Sequence, residues 1–173
     1  MRIVAGRWRG RQIKPPKDEH VRPTGDRVRE AWMSIVNPWL ADARVVDLYA
    51  GSGALGFEAL SRGAEVVDFV DVSSRSIEAI RSNAETLGAG PAAVVHRADA
   101  LRWVERLGAH AYDVAFADPP YDLGIATALA ERWLEVPFAD LLGIEHRMNE
   151  RLPGAGERRK YGGTVITFYR VEG

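Results

Sequence analysis

The sequence predicts an α/β protein built on a doubly wound, mostly parallel sheet that closes with an antiparallel hairpin. Three observations predict it. Short apolar strands alternate with amphipathic helical stretches between Arg44 and Trp133. A glycine-rich turn from Gly51 joins the first of those strands to its helix. A last alternating segment, Thr164–Val171, follows Gly162-Gly163, which implies a tight turn and a short partner strand before it. Repeated β-α-β units put helices on both faces of a parallel sheet. With the hairpin counted, the predicted sheet has seven strands.

The elements follow in order. Thr24 is a candidate N-cap with Asp26 in the first turn, and Val28, Trp32, Ile35 and Val36 share one helical face before Pro38 ends the helix. Strands are expected over 44–49, 65–71, 92–96, 112–117 and 141–145, and helices over about 55–61, 74–87, 101–107 and 125–133. Within the second helix, Ile77, Ile80, Ala84 and Leu87 fall on one face. The polar, Gly- and Pro-containing stretch 148–159 reads as loop.

Composition narrows the function classes. A chain of 173 residues suits one compact domain with a core large enough to need no staple. Having no cysteine, it forms no disulfide, thiolate metal site or cysteine nucleophile. No apolar run approaches the roughly 18 residues of a membrane span, and the start lacks a signal-peptide core. A cytoplasmic monomer is the expectation. The net charge of −1 hides an asymmetry: residues 1–22 hold seven basic against two acidic side chains. A basic arm (1–22) on an acidic body (23–173) suits a polyanionic partner. Arg7, Arg9 and Arg11 are candidate phosphate contacts, Trp8 a candidate base-stacking residue, and Arg22, Thr24 and Arg27 further substrate contacts. The four histidines have no ligand spacing, and no metal is expected.

Two constellations carry chemistry. In Asp47-Leu48-Tyr49-Ala50-Gly51-Ser52-Gly53-Ala54-Leu55-Gly56 the GxGxxG spacing lies between strand and helix, and Asp71 follows about 20 residues on, where it can accept from ribose hydroxyls. Asp47 before the turn would repel a pyrophosphate but favours the sulfonium and ammonium of S-adenosylmethionine. Asp99-Ala100 at the end of the third strand could meet an adenine amino group. Asp118-Pro119-Pro120-Tyr121 closes the fourth strand at the edge where such sheets bind ligands. There Asp118 and the Pro119 carbonyl can accept the two hydrogens of an exocyclic base amine, while Tyr121 offers a stacking face.

These motifs in this order look like the class I methyltransferase fold. The finer pattern resembles the RsmD family of 16S ribosomal RNA guanine methyltransferases: Arg2–Arg11, Arg22–Glu30, Asp47–Gly56, Ala117–Tyr121 and Arg159–Thr164. The resemblance implies methyl transfer to the N2 amino group of a guanine in the small ribosomal subunit, acting on an assembling particle. It implies cofactor contacts from Gly51, Gly53, Asp71 and Asp99, and target-base contacts from Asp118, Pro119 and Tyr121. Trp32 departs from the family's usual Leu or Phe, Asp71 from a common Glu and Gly163 from a usual Asp, and the stretch 137–157 looks shortened or divergent. Two other readings compete. A DNA adenine-N6 methyltransferase uses the same tetrapeptide but would normally carry extra residues for reading the major groove. A non-catalytic nucleotide- or RNA-binding module leaves the acid, proline pair and aromatic without a purpose.

Overall fold

The computed structural model describes residues 1–17 and 25–172. Its elements run α1 (Asp26–Val36), β1 (Arg44–Leu48), α2 (Ala54–Ser61), β2 (Val66–Asp71), α3 (Ser74–Leu87), β3 (Ala93–Arg97), α4 (Ala100–Glu105), β4 (Tyr112–Ala117), α5 (Ile125–Glu135), β5 (Ala139–Arg147), β6 (Glu157–Tyr161) and β7 (Thr164–Arg170). The strands form one seven-stranded sheet in the order β3-β2-β1-β4-β5-β7-β6. The first five pair in parallel. β7 runs antiparallel between β5 and β6. Chain order reverses between β1 and β4, and a sheet of this kind opens a ligand crevice at that point, beyond the strand carboxyl ends.

Apolar runs become inner strands because both faces are covered. Val45, Val46 and Leu48 are all buried, as are Val114 through Ala117. One face packs α1, α2 and α3, with Trp32, Phe57, Phe69 and Ile80 at its centre. The other packs α4 and α5 through Val104, Leu129 and Trp133. α3 keeps its predicted bounds because both ends are capped. The Ser73 hydroxyl accepts from the Ser76 N–H, and Gly88 takes the left-handed conformation at φ 68°.

Three expectations shift. α1 begins with Gly25 in the N-cap position, one residue beyond Thr24, which lies outside the described residues. Its buried face is Arg29, Trp32, Met33 and Val36, and Val28 and Ile35 sit half-buried at the margins. Pro38 does not stop the chain dead: Asn37–Trp39 continues as one 3-10 turn, where a proline lacking an N–H loses nothing. β6, the short partner strand expected before Gly162-Gly163, runs over 157–161 and takes in the last residues of the stretch expected to be loop. It is the sheet's outer strand, so Glu157, Arg159 and Lys160 stay exposed and no apolar period marks it.

The basic segment is laid onto the body as far as it is described. Arg2 and Gln12 bridge antiparallel, and Ile3, Trp8 and Ile13 join the core beside α1 and α2. The fully buried Glu58 carboxylate accepts the N–H groups of Val4 at 2.8 Å and Ala5 at 3.2 Å, and Arg62 Nε at 2.9 Å. Ser61 Oγ accepts from the Trp8 N–H at 3.0 Å and donates to the Ala5 carbonyl at 2.6 Å. Gly6 is required here: its φ is +85°, and a Cβ would stand 1.9 Å from the Ser61 carbonyl oxygen. No described helix is long and apolar enough to cross a membrane.

Glu58 is thus the main polar clamp on the N-terminal segment. Glu58→Ala should destabilise the fold by about 3 kcal/mol, because two N–H groups and a guanidinium lose a buried acceptor. Urea unfolding measures this. Trypsin should also cut the variant at Arg7, Arg9 or Arg11 under native conditions faster than it cuts the wild-type chain.

Candidate active site

The turn after β1 is held open for a ligand by its backbone. Tyr49 and Gly51 both have φ 58° and Gly53 has φ 82°. A Cβ on Gly56 would lie 2.3 Å from the Phe69 ring and 3.0 Å from Asp47 Oδ2, so glycine lets α2 sit directly against β2. Asp47 Oδ2 accepts from the Gly56 N–H at 2.9 Å and ties the strand end to the first turn of the helix. Asp71 accepts from Gly51 N–H through one oxygen and from Ser73 N–H through the other, each at 2.9 Å. A carboxylate has about four acceptor positions, so ribose hydroxyls could still be received. The Asn83 carboxamide donates to the carbonyls of Ser52 at 3.0 Å and Lys14 at 2.9 Å, which pins the turn to the N-terminal segment.

Asp99 is exposed and caps α4, accepting from the Arg102 N–H at 3.1 Å, and Ala100 behind it is buried. Half-burial pushes the Tyr49 phenol up, and the charges of Asp99 and Asp71 push it further, so the phenol stays protonated between those acids. The same crowding reaches Asp47. Burial raises its carboxyl well above the usual range, the Gly56 N–H partly offsets this, and Asp118 and Asp71 raise it again. The first four strands therefore converge Asp47, Asp71, Asp99 and Asp118 on one edge. Such a site resists phosphate and welcomes a cation. The donor set fits S-adenosylmethionine, whose charged sulfonium and ammonium would lie against these acids.

Asp118 is half-buried directly after β4, and Pro119 is buried beside it. Tyr121 is half-buried, its hydroxyl 3.3 Å from Thr164 Oγ1 at the start of β7. The Arg147 guanidinium covers one face of its ring at 4.7 Å from the centroid and pairs with Asp122 at 3.2 Å. This brings the closing hairpin against the Asp-Pro-Pro-Tyr loop. Two residues were not singled out from sequence. Arg147 stands at the end of β5 and Glu145 two residues before it, buried, with its Oε1 3.4 Å from the Trp32 indole nitrogen. An acid and an arginine ending an apolar strand of a parallel sheet were the available signal.

The basic residues are distributed differently from expectation. Trp8 cannot offer a stacking face: only 6% of it is exposed, and the Arg7 guanidinium lies 4.1 Å above its ring. The arginines around it made the indole read as a nucleic-acid contact, but its apolar surface is spent on the core. Arg7 N–H bonds the Ser61 carbonyl, and Arg11 Nη2 the Thr86 carbonyl at 2.7 Å. Those carbonyls lie in the last turns of α2 and α3, the ends remote from the strand carboxyl edge. Arg9 is exposed beside a shallow cavity of about 260 Å³ with Arg2 and Asp26. Arg27 is exposed on α1 and lines a groove of about 720 Å³ shared with Tyr161 and Gly162. Arg22 lies, like Thr24, outside the described residues.

Comparison with known proteins gives consistent matches. The family model described as "Conserved hypothetical protein 95" matches residues 1–170. YlbH of Bacillus subtilis, named as a candidate rRNA methyltransferase, is 32% identical over 184 residues that span all of both chains. Ribosomal RNA small subunit methyltransferase D of Escherichia coli K12 is 38% identical over 125 residues, 72% of this chain and 62% of that protein. The solved structure of the Escherichia coli protein yhhF superposes with a TM-score of 0.85 at 30% identity, over 99% of this chain and 98% of that one.

The raised carboxyl of Asp47 has a signed consequence for the free protein. A group whose pKa rises on folding adds stability below its unfolded value, and that contribution is lost as pH climbs through the folded value. Near neutral pH, Asp47 therefore opposes folding. Asp47→Asn keeps an acceptor for the Gly56 N–H and should raise the melting temperature at pH 7, with the gain shrinking toward pH 4. Thermal melts of both proteins across that range measure it.

Proposed function

This chain belongs to the conserved hypothetical protein 95 family, the RsmD family, and from that membership we propose that it transfers a methyl group from S-adenosylmethionine to the N2 amino group of a guanine in 16S ribosomal RNA. One observation carries the reading: Asp118-Pro119-Pro120-Tyr121 ends β4 beside an edge lined with carboxylates. S-adenosylmethionine, when bound, supplies a methyl group activated by a positively charged sulfur.

The chain's own residues do the rest. Asp47 and its acidic neighbours favour the cation electrostatically. Asp71 receives ribose hydroxyls, Gly51 and Gly53 let the backbone come close, and Asp99 and Ala100 flank the adenine. A guanine amine is a poor nucleophile because its lone pair is delocalised into the ring. Asp118 accepts one N–H and the Pro119 carbonyl the other, which draws the lone pair out and aims it along the line of displacement. The prolines fix the direction of that carbonyl. Tyr121, braced by Thr164 and Arg147, stacks the extruded base on its open face. Asp118 need not be a strong base, because the amine turns acidic only as the new bond forms.

RNA is held away from the carboxylates. Arg27 on α1 borders the groove beside the hairpin tip, and Arg22 and Thr24 stand next to it in sequence. Arg7, Arg9 and Arg11 extend a positive surface toward the far ends of α2 and α3. The substrate is the small-subunit RNA as a monomeric enzyme meets it in an assembling particle, in the cytoplasm.

The decisive experiment incubates the protein with methyl-labelled cofactor and small ribosomal subunits lacking their native base methylations, then maps the labelled nucleoside. Label in N2-methylguanosine is expected. N6-methyldeoxyadenosine formed in a parallel incubation with duplex DNA, or no transfer to either substrate, would overturn the reading. In the same assay Asp118→Ala should lower turnover by about 100- to 1000-fold, the loss typical of one transition-state contact. Calorimetry should find its cofactor binding largely intact.

A further inference from the structure

The sheet places a second carboxylate beside Asp118. β4 and β5 pair in parallel with Ala117 opposite Ile144, so the next residues, Asp118 and Glu145, are neighbours on strands about 4.8 Å apart. Both belong to the face that packs α1. Phe116, two before Asp118, meets the Trp32 ring edge-on at 5.6 Å, and a Cβ on Gly143, two before Glu145, would lie 2.3 Å from that ring.

Glu145 is tied to α1 there. Its Oε1 accepts the Trp32 indole N–H at 3.4 Å, and Trp32 has no exposed surface. The indole is also boxed edge-on by Phe168 at 5.7 Å, and the missing side chain of Gly143 makes its room. This gives Trp32 a polar task.

We infer that Glu145 selects guanine by accepting the N1–H of its Watson–Crick edge. This rests on the reading of Asp118 and the Pro119 carbonyl as the acceptors for the N2 amine. The atom next along that edge is N1, which carries a hydrogen in guanine and a bare lone pair in adenine or 2,6-diaminopurine. A carboxylate one strand over from Asp118 binds the first and repels the second. Sites built around a buried polar contact reject analogues that cannot make it far more strongly than apolar pockets reject a missing methylene. Glu145 thereby separates recognition of the base from activation of its amine.

The test uses reconstituted small subunits whose target nucleotide is either guanosine or 2,6-diaminopurine riboside, which keeps the N2 amine but reverses N1. Wild-type protein should favour guanosine by about 100-fold or more in kcat/KM. Glu145→Gln, whose amide can turn to donate to N1, should bring the two within about tenfold by losing guanosine activity and gaining activity on the analogue. Trp32→Phe keeps the ring packing but frees the carboxylate, and should narrow the preference by several-fold. Equal methylation of both substrates by the wild-type chain would overturn the inference without any variant. So would an unchanged preference in a folded Glu145→Gln protein. Failure of the wild-type chain to methylate guanosine at all would instead sink the functional reading beneath it.

Discussion

Much of this structure depends on one buried carboxylate that folding does not favour. Asp47 lies at the end of β1 with 2% of its surface exposed, beside two other acids. Its bond to the Gly56 N–H fixes how the glycine turn leaves the sheet and how closely α2 returns to it. That close return needs Gly53 and Gly56, whose Cβ atoms would strike Phe57 and Phe69. With Asp71, Asp99 and Asp118, Asp47 makes the crevice acidic. A turn of this shape elsewhere receives a pyrophosphate on its N–H groups. Here the N–H of Gly51 is taken by Asp71, that of Gly56 by Asp47, and the crevice faces a cation instead.

Other elements brace that edge. The N-terminal segment reaches it through Asn83, which holds Lys14 and Ser52 together. α1 reaches it through Trp32, which contacts β4 at Phe116, β5 at Gly143 and β7 at Phe168. The hairpin reaches it through Thr164 and the Tyr121 hydroxyl. Chemistry at a strand end needs groups fixed to within fractions of an ångström, and rigid elements converging from three directions supply that.

The architecture was largely legible because buried parallel strands and amphipathic helices write their periods openly. The bounds of α3 and β4 follow from sequence alone, as does the joining of the two motifs at one sheet edge. What stayed hidden has physical causes. β6 was expected as the hairpin's partner, but it is polar because it is an edge, so its start at Glu157 imitates a loop. Trp8 sits among arginines because Arg7 and Arg9 on either side of it face water while its indole turns into the core with Ile3 and Ile13. Glu145 and Arg147 owe their positions to the register of β4 against β5, a pairing that no local pattern encodes. Composition located the positive charge, but only the bonds to the Ser61 and Thr86 carbonyls reveal that Arg7 and Arg11 are tethered far from the crevice.

That separation of charge bears on how an acidic crevice can serve a polyanion. Asp47, Asp71, Asp99 and Asp118 suit a cationic cofactor, yet they repel an approaching phosphate backbone. Attraction has to come from basic side chains at the mouth of the crevice and beyond it. Arg147 sits over Tyr121 at the crevice mouth, Arg27 across the groove, Arg159 and Lys160 along β6, and Arg7 to Arg11 beyond the ends of α2 and α3. A nucleic acid gripped by them is drawn to the protein's flanks while only an uncharged base enters between the acids. The electrostatics thus favour a target nucleotide turned out of its strand, since that geometry keeps its own phosphates on the basic rim.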